Sequence, residues 1–151
     1  MTVGNMMDAV DDGERSTSGV EMSPSSSFGP ADDGRIKPDI VANGHGLRSA
    51  TNESNSSYGV ATGTSMAAPG ACGVGLLLHE HYHRTTGQFM RASTLKGLMI
   101  HTATDLFNVG PDYQSGWGLV NALEGTEQIK RHAANPGVGH IVEGLLADDV
   151  L

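Results

Sequence analysis

The first part of the chain carries short apolar runs separated by polar, glycine-rich segments, a pattern typical of short buried strands joined by loops. Residues 6–34 are rich in Asp, Ser and Gly and predict a loop region after the first strand. In Arg35–Ala42 a proline precedes an apolar triplet, which indicates a strand entered from a turn. The predicted strands are Met1–Asn5, Lys37–Ala42, Leu47–Ala50 and Tyr58–Ala61.

The second part of the chain has helical periodicity, and its predicted helices are Thr64–Arg84, Ser93–Thr104 and Leu119–His132. The first half of the first helix is apolar on all sides, so we expect it to be buried. The inward positions of the other two helices are Leu95, Leu98, Met99 and Thr102, and then Leu119, Ala122, Leu123 and Ile129. Short strands alternating with helices favour an α/β fold with a parallel sheet covered on both faces.

Length, charge and cysteine content limit the kinds of protein that this chain can be. A chain of 151 residues is long enough to bury a core as one domain. The net charge of −8 argues against nucleic acid as a partner, because no basic stripe replaces phosphate counterions. No stretch reaches the length of a membrane span, and the N-terminus lacks the features of a signal peptide. The single cysteine, Cys72, lies in an apolar run and is predicted to be a buried structural thiol.

The run Gly63-Thr64-Ser65-Met66-Ala67-Ala68-Pro69 sets a serine between a glycine turn and an apolar helix. Backbone N–H groups and the helix dipole at such a position stabilise negative charge, which suits a nucleophilic hydroxyl. Pro69 fits a first helical turn, where a missing N–H costs nothing. A plain helix N-cap is the alternative interpretation of Ser65 taken alone.

This heptapeptide resembles the active-site serine segment of the subtilisin-like serine proteases, the subtilases. Further segments resemble the family in the same order along the chain: Val3-Gly4, Ser26–Pro30, Gly34–Ala42 and Gly116–Ala122. The sequence departs from the family pattern at Asn43, where a proline is usual, and at Gly70, where a histidine is frequent. Both departures lie beside the nucleophile segment and put only the local loop shape in question.

The resemblance implies a three-layer subtilisin-like fold, a parallel sheet with helices on both faces, and a serine endopeptidase acting on polypeptide substrates. It assigns Ser65 as the acyl-forming nucleophile, with Gly63 and Thr64 supporting the nucleophile turn and the oxyanion. It also implies an exported protein, secreted or in the cell envelope, and we expect neither a cofactor nor a metal in catalysis.

A serine needs a base and an orienting carboxylate, and the family's Asp and His segments precede its serine. Asp12-Gly13 and His45 are the nearest candidates, but neither has the expected surroundings; His45 fits a solvated loop histidine better. We therefore predict that residues 1–135 are the C-terminal portion of a catalytic domain whose Asp and His lie in a missing N-terminal part. Residues 136–151 are then a linker with the possible start of a following β-rich domain. The alternative is a catalytically incomplete fragment or a binding half-domain.

His79-Glu80-His81-Tyr82-His83 matches the His-Glu-x-x-His signature of zinc proteases, with Glu80 in the place of the general base. This match makes a zinc metalloprotease a remote alternative. No third ligand follows His83 at the distance that this class of site requires. The simpler interpretation is the exposed end of the long helix, where histidines suit the negative end of the dipole.

Overall fold

A parallel strand pair forms the centre of the fold in a computed structural model that describes residues 1–7, 9–138 and 140–144. Strand β1 (Val3–Met6) pairs in parallel with β4 (Ile40–Asn43), with Val3 opposite Ile40 and Asn5 opposite Ala42. On the far side of β4, Val41 forms a parallel bridge with Leu119. An extended segment just before the last helix therefore adds to the sheet beside β4.

Two antiparallel hairpins complete the strands. Strands β2 (Val10–Asp11) and β3 (Glu14–Arg15) pair across the two-residue turn Asp12-Gly13. Both turn residues have positive φ, 48° and 82°, as the favoured hairpin turns require. Strands β5 (Leu47–Ala50) and β6 (Tyr58–Ala61) have the predicted bounds and pair with Leu47 opposite Ala61.

Three helices follow: α1 (Thr64–Thr86), α2 (Ala92–His101) and α3 (Ala122–Ala134). The prediction that the third helix begins at Leu119 was wrong. Leu119 exchanges backbone hydrogen bonds with Thr104 at 2.8 and 2.9 Å, which keeps its backbone extended. The helix begins only after Asn121, whose side chain accepts a hydrogen bond from the Glu124 N–H as an N-cap.

Apolar side chains pack on both faces of the strand pair. On one face Ile40 and Ala42 join buried residues of all three helices, among them Ala71, Leu98 and Ile129. On the other face the buried cluster contains Met6, Ala9, Val20, Val41, Leu106 and Leu119. Leu123, predicted to face inward, is 72% exposed. The predicted α/β class is confirmed.

Helix α1 is buried along one side only, so the prediction of all-round burial was wrong. Ala67, Ala71, Gly75, Leu78 and Tyr82 are buried, whereas Leu76 and Leu77 are 69% and 61% exposed. Cys72 is also exposed, against prediction. The exposed side borders an apolar groove of about 470 Å³, whose lining includes Met1, Val3, Cys72, Leu76 and Met99. In the part of the chain that the structure describes, no helix combines the length and apolarity needed to span a membrane.

The segment after α3 folds back onto the helices. Pro136–Val138 forms a short 3-10 turn, and Ile141 packs against the helical core. Glu143 accepts a hydrogen bond from the Arg91 N–H at 2.7 Å, so its carboxylate covers the N-terminus of α2. The linker and possible start of a β-rich domain predicted for residues 136–151 include residues 139 and 145–151, which lie outside the described residues.

Candidate active site

Ser65 is the second residue of α1 and is exposed. The helix begins after Gly63, whose backbone angles, φ 155° and ψ 169°, lie in a region that only glycine adopts without strain. The Gly63 carbonyl accepts hydrogen bonds from Met66 N and Ala67 N at 3.0 and 3.3 Å. The N–H groups of Thr64 and Ser65 have no acceptor within the helix, and no side chain caps this helix. Two N–H donors thus lie beside the Ser65 hydroxyl at the positive end of the helix dipole.

Pro69 lies in the second turn of α1, not in the first turn as predicted. Residue 69 would ordinarily donate its N–H to the carbonyl four positions earlier, which belongs to Ser65. Because proline has no N–H, the Ser65 carbonyl loses that donor. Both backbone groups of Ser65 therefore stand outside the regular hydrogen-bond ladder of the helix.

Gly44, just beyond β4, packs against the Gly63–Ser65 turn and supports it. Its carbonyl accepts a hydrogen bond from the Gly63 N–H at 2.9 Å. A Cβ atom on Gly44 would lie 2.5 Å from the Gly63 carbonyl oxygen and 2.8 Å from Ala67 N. Such distances leave no space for any side chain. Sequence reasoning missed this role of Gly44.

A serine-rich segment, Ser23–Ser27, lies against the same end of the sheet. Asn5, which is fully buried at the end of β1, donates its side-chain amide to Ser25 Oγ at 2.9 Å, and its backbone N–H to Ser26 Oγ at 3.0 Å. Asn5 was also missed, although one signal was available: it ends an apolar strand, and the carboxyl ends of parallel strands are where sites form in α/β folds.

A cleft of about 340 Å³ opens beside Thr64, and its lining includes Ser25, Phe28 and Lys37. Lys37 is not a free cation, because its Nζ lies 2.7 Å from Asp39 Oδ1. Burial alone would raise the pKa of Asp39, but hydrogen bonds from Lys37 and the Thr2 N–H, with the charges of Lys37 and Lys96, lower it to about 2. The charges of Lys37 and Asp39 at this edge of the cleft therefore compensate each other within the protein.

None of the candidate bases is held against Ser65 by a contact in the described residues. The backbone N–H of His45 donates to Asn43 Oδ1 in the loop after β4. His101 ends α2, and His132 stacks on Tyr82 with ring centroids 6.1 Å apart. Asp12 lies in the β2–β3 turn. Within the described ranges, these contacts therefore do not assemble an acid–base pair at Ser65.

In the structure, the residues of the zinc-protease motif make contacts other than those of a metal site. His79 and His83 both stack on Phe89, with centroid separations of 5.3 and 4.0 Å, and Glu80 forms an ion pair with Arg84 at 2.6 Å. Across residues 1–7, 9–138 and 140–144, no group of three His, Cys, Asp or Glu side chains is arranged to hold a metal ion. The geometry therefore gives the metalloprotease alternative no support.

Comparison with known proteins shows the family of this chain. The family model described as "Subtilase family" matches residues 1–118, and the chain belongs to this family. It is 33% identical over 111 residues to an "Extracellular serine protease" of Serratia marcescens, covering 59% of this chain and 10% of that protein. It is 35% identical over 94 residues to a "C5a peptidase" of Streptococcus pyogenes, covering 60% of this chain and 8% of that protein. The chain thus spans a tenth or less of the length of these curated relatives.

Solved structures confirm the subtilisin-like fold. The CspB protease of Clostridium perfringens matches with a TM-score of 0.64 and 28% identity, over 72% of this chain and 24% of that chain. The prenylagaramide maturation protease PagA matches with a TM-score of 0.61 over 93% of this chain and 42% of its own, and at 21% identity it supports the fold alone. Family membership supports serine peptidase chemistry in general.

Proposed function

We propose that Ser65 is the acyl-forming nucleophile of a subtilisin-like endopeptidase that cleaves polypeptides. The observation that carries the proposal is an exposed serine hydroxyl at an uncapped helix N-terminus, directly after a turn that only glycine adopts. This arrangement presents the hydroxyl to a substrate carbonyl and leaves N–H groups free for the charge that develops.

The reaction would follow acyl transfer. Ser65 Oγ attacks the scissile carbonyl carbon while a histidine base removes the hydroxyl proton. The Ser65 N–H donates to the oxyanion of the tetrahedral intermediate. Collapse breaks the peptide C–N bond, the amine leaves with the proton from the histidine, and water then hydrolyses the acyl-enzyme.

We further propose that the histidine and its orienting aspartate come from a segment outside these 151 residues. None of His45, His101 and His132 is held against Ser65 by a contact in the described residues, which supports this. The groove beside α1 supports it as well, because an apolar surface of this kind is typical of an interface with another part of a protein. The relative from Serratia marcescens, an extracellular serine protease, supports an exported protein.

The test is covalent labelling by a serine-directed fluorophosphonate. A protein carrying this chain together with the acid–base segment should be labelled at Ser65, and Ser65→Ala should abolish labelling. Ser93→Ala is the matched control: Ser93 is also the second residue of its helix, but the Glu143 carboxylate covers that N-terminus. Labelling that survives Ser65→Ala would overturn the assignment.

The 151 residues alone are expected to be inactive on casein and, because of the exposed apolar side of α1, to self-associate and bind a hydrophobic dye. In subtilisin, loss of the catalytic Ser or His lowers turnover by about 10⁶-fold. A monomeric sample of this chain whose casein cleavage disappears in Ser65→Ala would contradict the proposal of an external base.

A further inference from the structure

Asn5 lies between the serine-rich segment Ser23–Ser27 and the nucleophile turn. Its side chain projects from the same sheet face as Val3, the face on which α1 packs. Segment Ser23–Ser27 holds both of its backbone groups: Ser23 N donates to the Asn5 carbonyl at 3.0 Å, and Asn5 N donates to Ser26 Oγ at 3.0 Å. On the side chain, Nδ2 donates to Ser25 Oγ, which lies 3.0 Å from Ser23 Oγ. The amide is therefore fixed on one side by a chain of hydroxyls.

The other side of the amide faces the nucleophile turn. Asn5 Oδ1 is buried and has no hydrogen-bond partner in the described part of the chain. A Cβ built on Gly44 would lie 2.5 Å from this oxygen and 2.5 Å from the Gly63 carbonyl oxygen. Asn5 Oδ1 and the Gly63 carbonyl oxygen therefore border the same space beside Gly44, at the turn that carries Ser65. An unpartnered buried amide oxygen is costly, and its place against the turn gives it a role that packing alone does not explain.

We propose that Asn5 is a positioning residue for the nucleophile: its neutral amide, fixed by Ser25, lies against Gly44 at the Gly63–Ser65 turn without putting a charge behind the oxyanion site. This inference rests on the proposed function of Ser65. An aliphatic side chain at position 5 could not bond to Ser25, so it would no longer be fixed in position against Gly44. A carboxylate would have the right shape but would oppose the negative charge that develops at the Ser65 N–H.

Asn5→Asp is therefore the decisive variant, because it is nearly isosteric and its charge can be titrated. In the protein that also carries the acid–base segment, we expect kcat near pH 7 to fall by about tenfold or more, with KM little changed. The ratio of variant to wild-type rate should recover as the pH falls, since the introduced carboxyl then becomes neutral. A residue with only a structural role would change stability without a pH-dependent rate ratio.

The matched control is Asn121→Asp. Asn121 caps α3 and donates Nδ2 to Thr104 Oγ1. A carboxylate can accept from both Glu124 N and the Thr104 hydroxyl, so its rate ratio should stay near one at every pH. If Asn5→Asp does not fold, Ser25→Ala removes the partner of Asn5 Nδ2 instead. It should slow fluorophosphonate labelling of Ser65 several-fold, whereas Ser56→Ala, in the exposed connection between β5 and β6, should not.

The outcomes separate the two proposals. Absence of Ser65-dependent labelling in the wild type overturns the proposed function, and this inference with it. Wild-type labelling, combined with an Asn5→Asp rate ratio that is near one or independent of pH, overturns the positioning role of Asn5 alone. If only Ser25→Ala can be measured, a labelling rate equal to that of the wild type likewise overturns the positioning role of Asn5.

Discussion

Replacing Asp39 with asparagine should destabilise the protein at neutral pH and much less in acid. The Asp39 carboxylate is 8% exposed and bonds to the Thr2 N–H at 2.6 Å and to Lys37 Nζ at 2.7 Å, with Lys96 Nζ 3.6 Å away. These contacts lower its pKa from 3.8 to about 2. Each pKa unit corresponds to about 1.4 kcal/mol, so the ionised carboxylate contributes up to about 2–3 kcal/mol to the free energy of unfolding.

The sign of the pH dependence follows from the lowered pKa. A carboxyl whose pKa is depressed in the folded state stabilises the fold fully above the pKa of the unfolded chain. That contribution decreases as the pH falls from about 4 to about 2. Asp39→Asn should therefore lower the free energy of unfolding by up to about 2–3 kcal/mol near pH 7, and the difference from wild type should shrink in acid.

Urea unfolding of the wild type and of Asp39→Asn at several pH values between about 7 and 3 is the measurement. Asp33→Asn is the control, since the Asp33–Arg35 pair is exposed on both sides and contributes little. A destabilisation by Asp39→Asn that is the same at every pH, or no greater than that of Asp33→Asn, would refute the reasoning.

Two further predictions concern packing and the turn. Leu78→Ala, in a side chain only 1% exposed, should cost about 2–5 kcal/mol in urea unfolding, whereas Leu123→Ala, at 72% exposure, should cost less than about 0.5 kcal/mol; equal losses would contradict the burial described above. Gly44→Ala should displace the nucleophile turn and slow fluorophosphonate labelling of Ser65, because its Cβ would meet the Gly63 carbonyl oxygen at 2.5 Å. In Gly73→Ala the added Cβ meets open space, so Ser65 should be labelled at the wild-type rate. Equal slowing in both variants would contradict a specific role of Gly44 in supporting the turn.

Local sequence signals predicted the regular elements well. Strands β5 and β6 have the predicted bounds, and α1 differs only at its C-terminal end, Thr86 against Arg84. Such elements follow from apolar periodicity and from their flanking turn residues, which are readable within a short window. Motif order along the chain was enough to predict the family and fold that the comparisons confirm.

Features that depend on contacts between residues far apart in the sequence could not be predicted from local patterns. Leu119 has helical periodicity with the residues after it, but its pairing with Thr104 and Val41 keeps it out of α3. The apolar first half of α1 predicted burial, although only one side of the helix meets the sheet and the other helices in the described residues. The support of the Ser65 turn by Gly44 and Asn5 depends on β1, β4 and α1 meeting at one point, which no single segment encodes. The assignment of Ser65, Gly63 and Thr64 as site residues stays a prediction.

The bridge between Val41 and Leu119 has a consequence for the order in which the protein folds during synthesis. Val41 accepts a hydrogen bond from Val120 N and donates one to the Gly118 carbonyl, so among the described residues this edge of β4 pairs with segments translated after α1 and α2. Until those residues leave the ribosome, β4 has β1 as its partner and a second edge open to other chains. Pairing across so long a stretch of chain is intrinsically slow. Nascent chains paused before Leu119 should therefore need chaperones more than chains released after Val120.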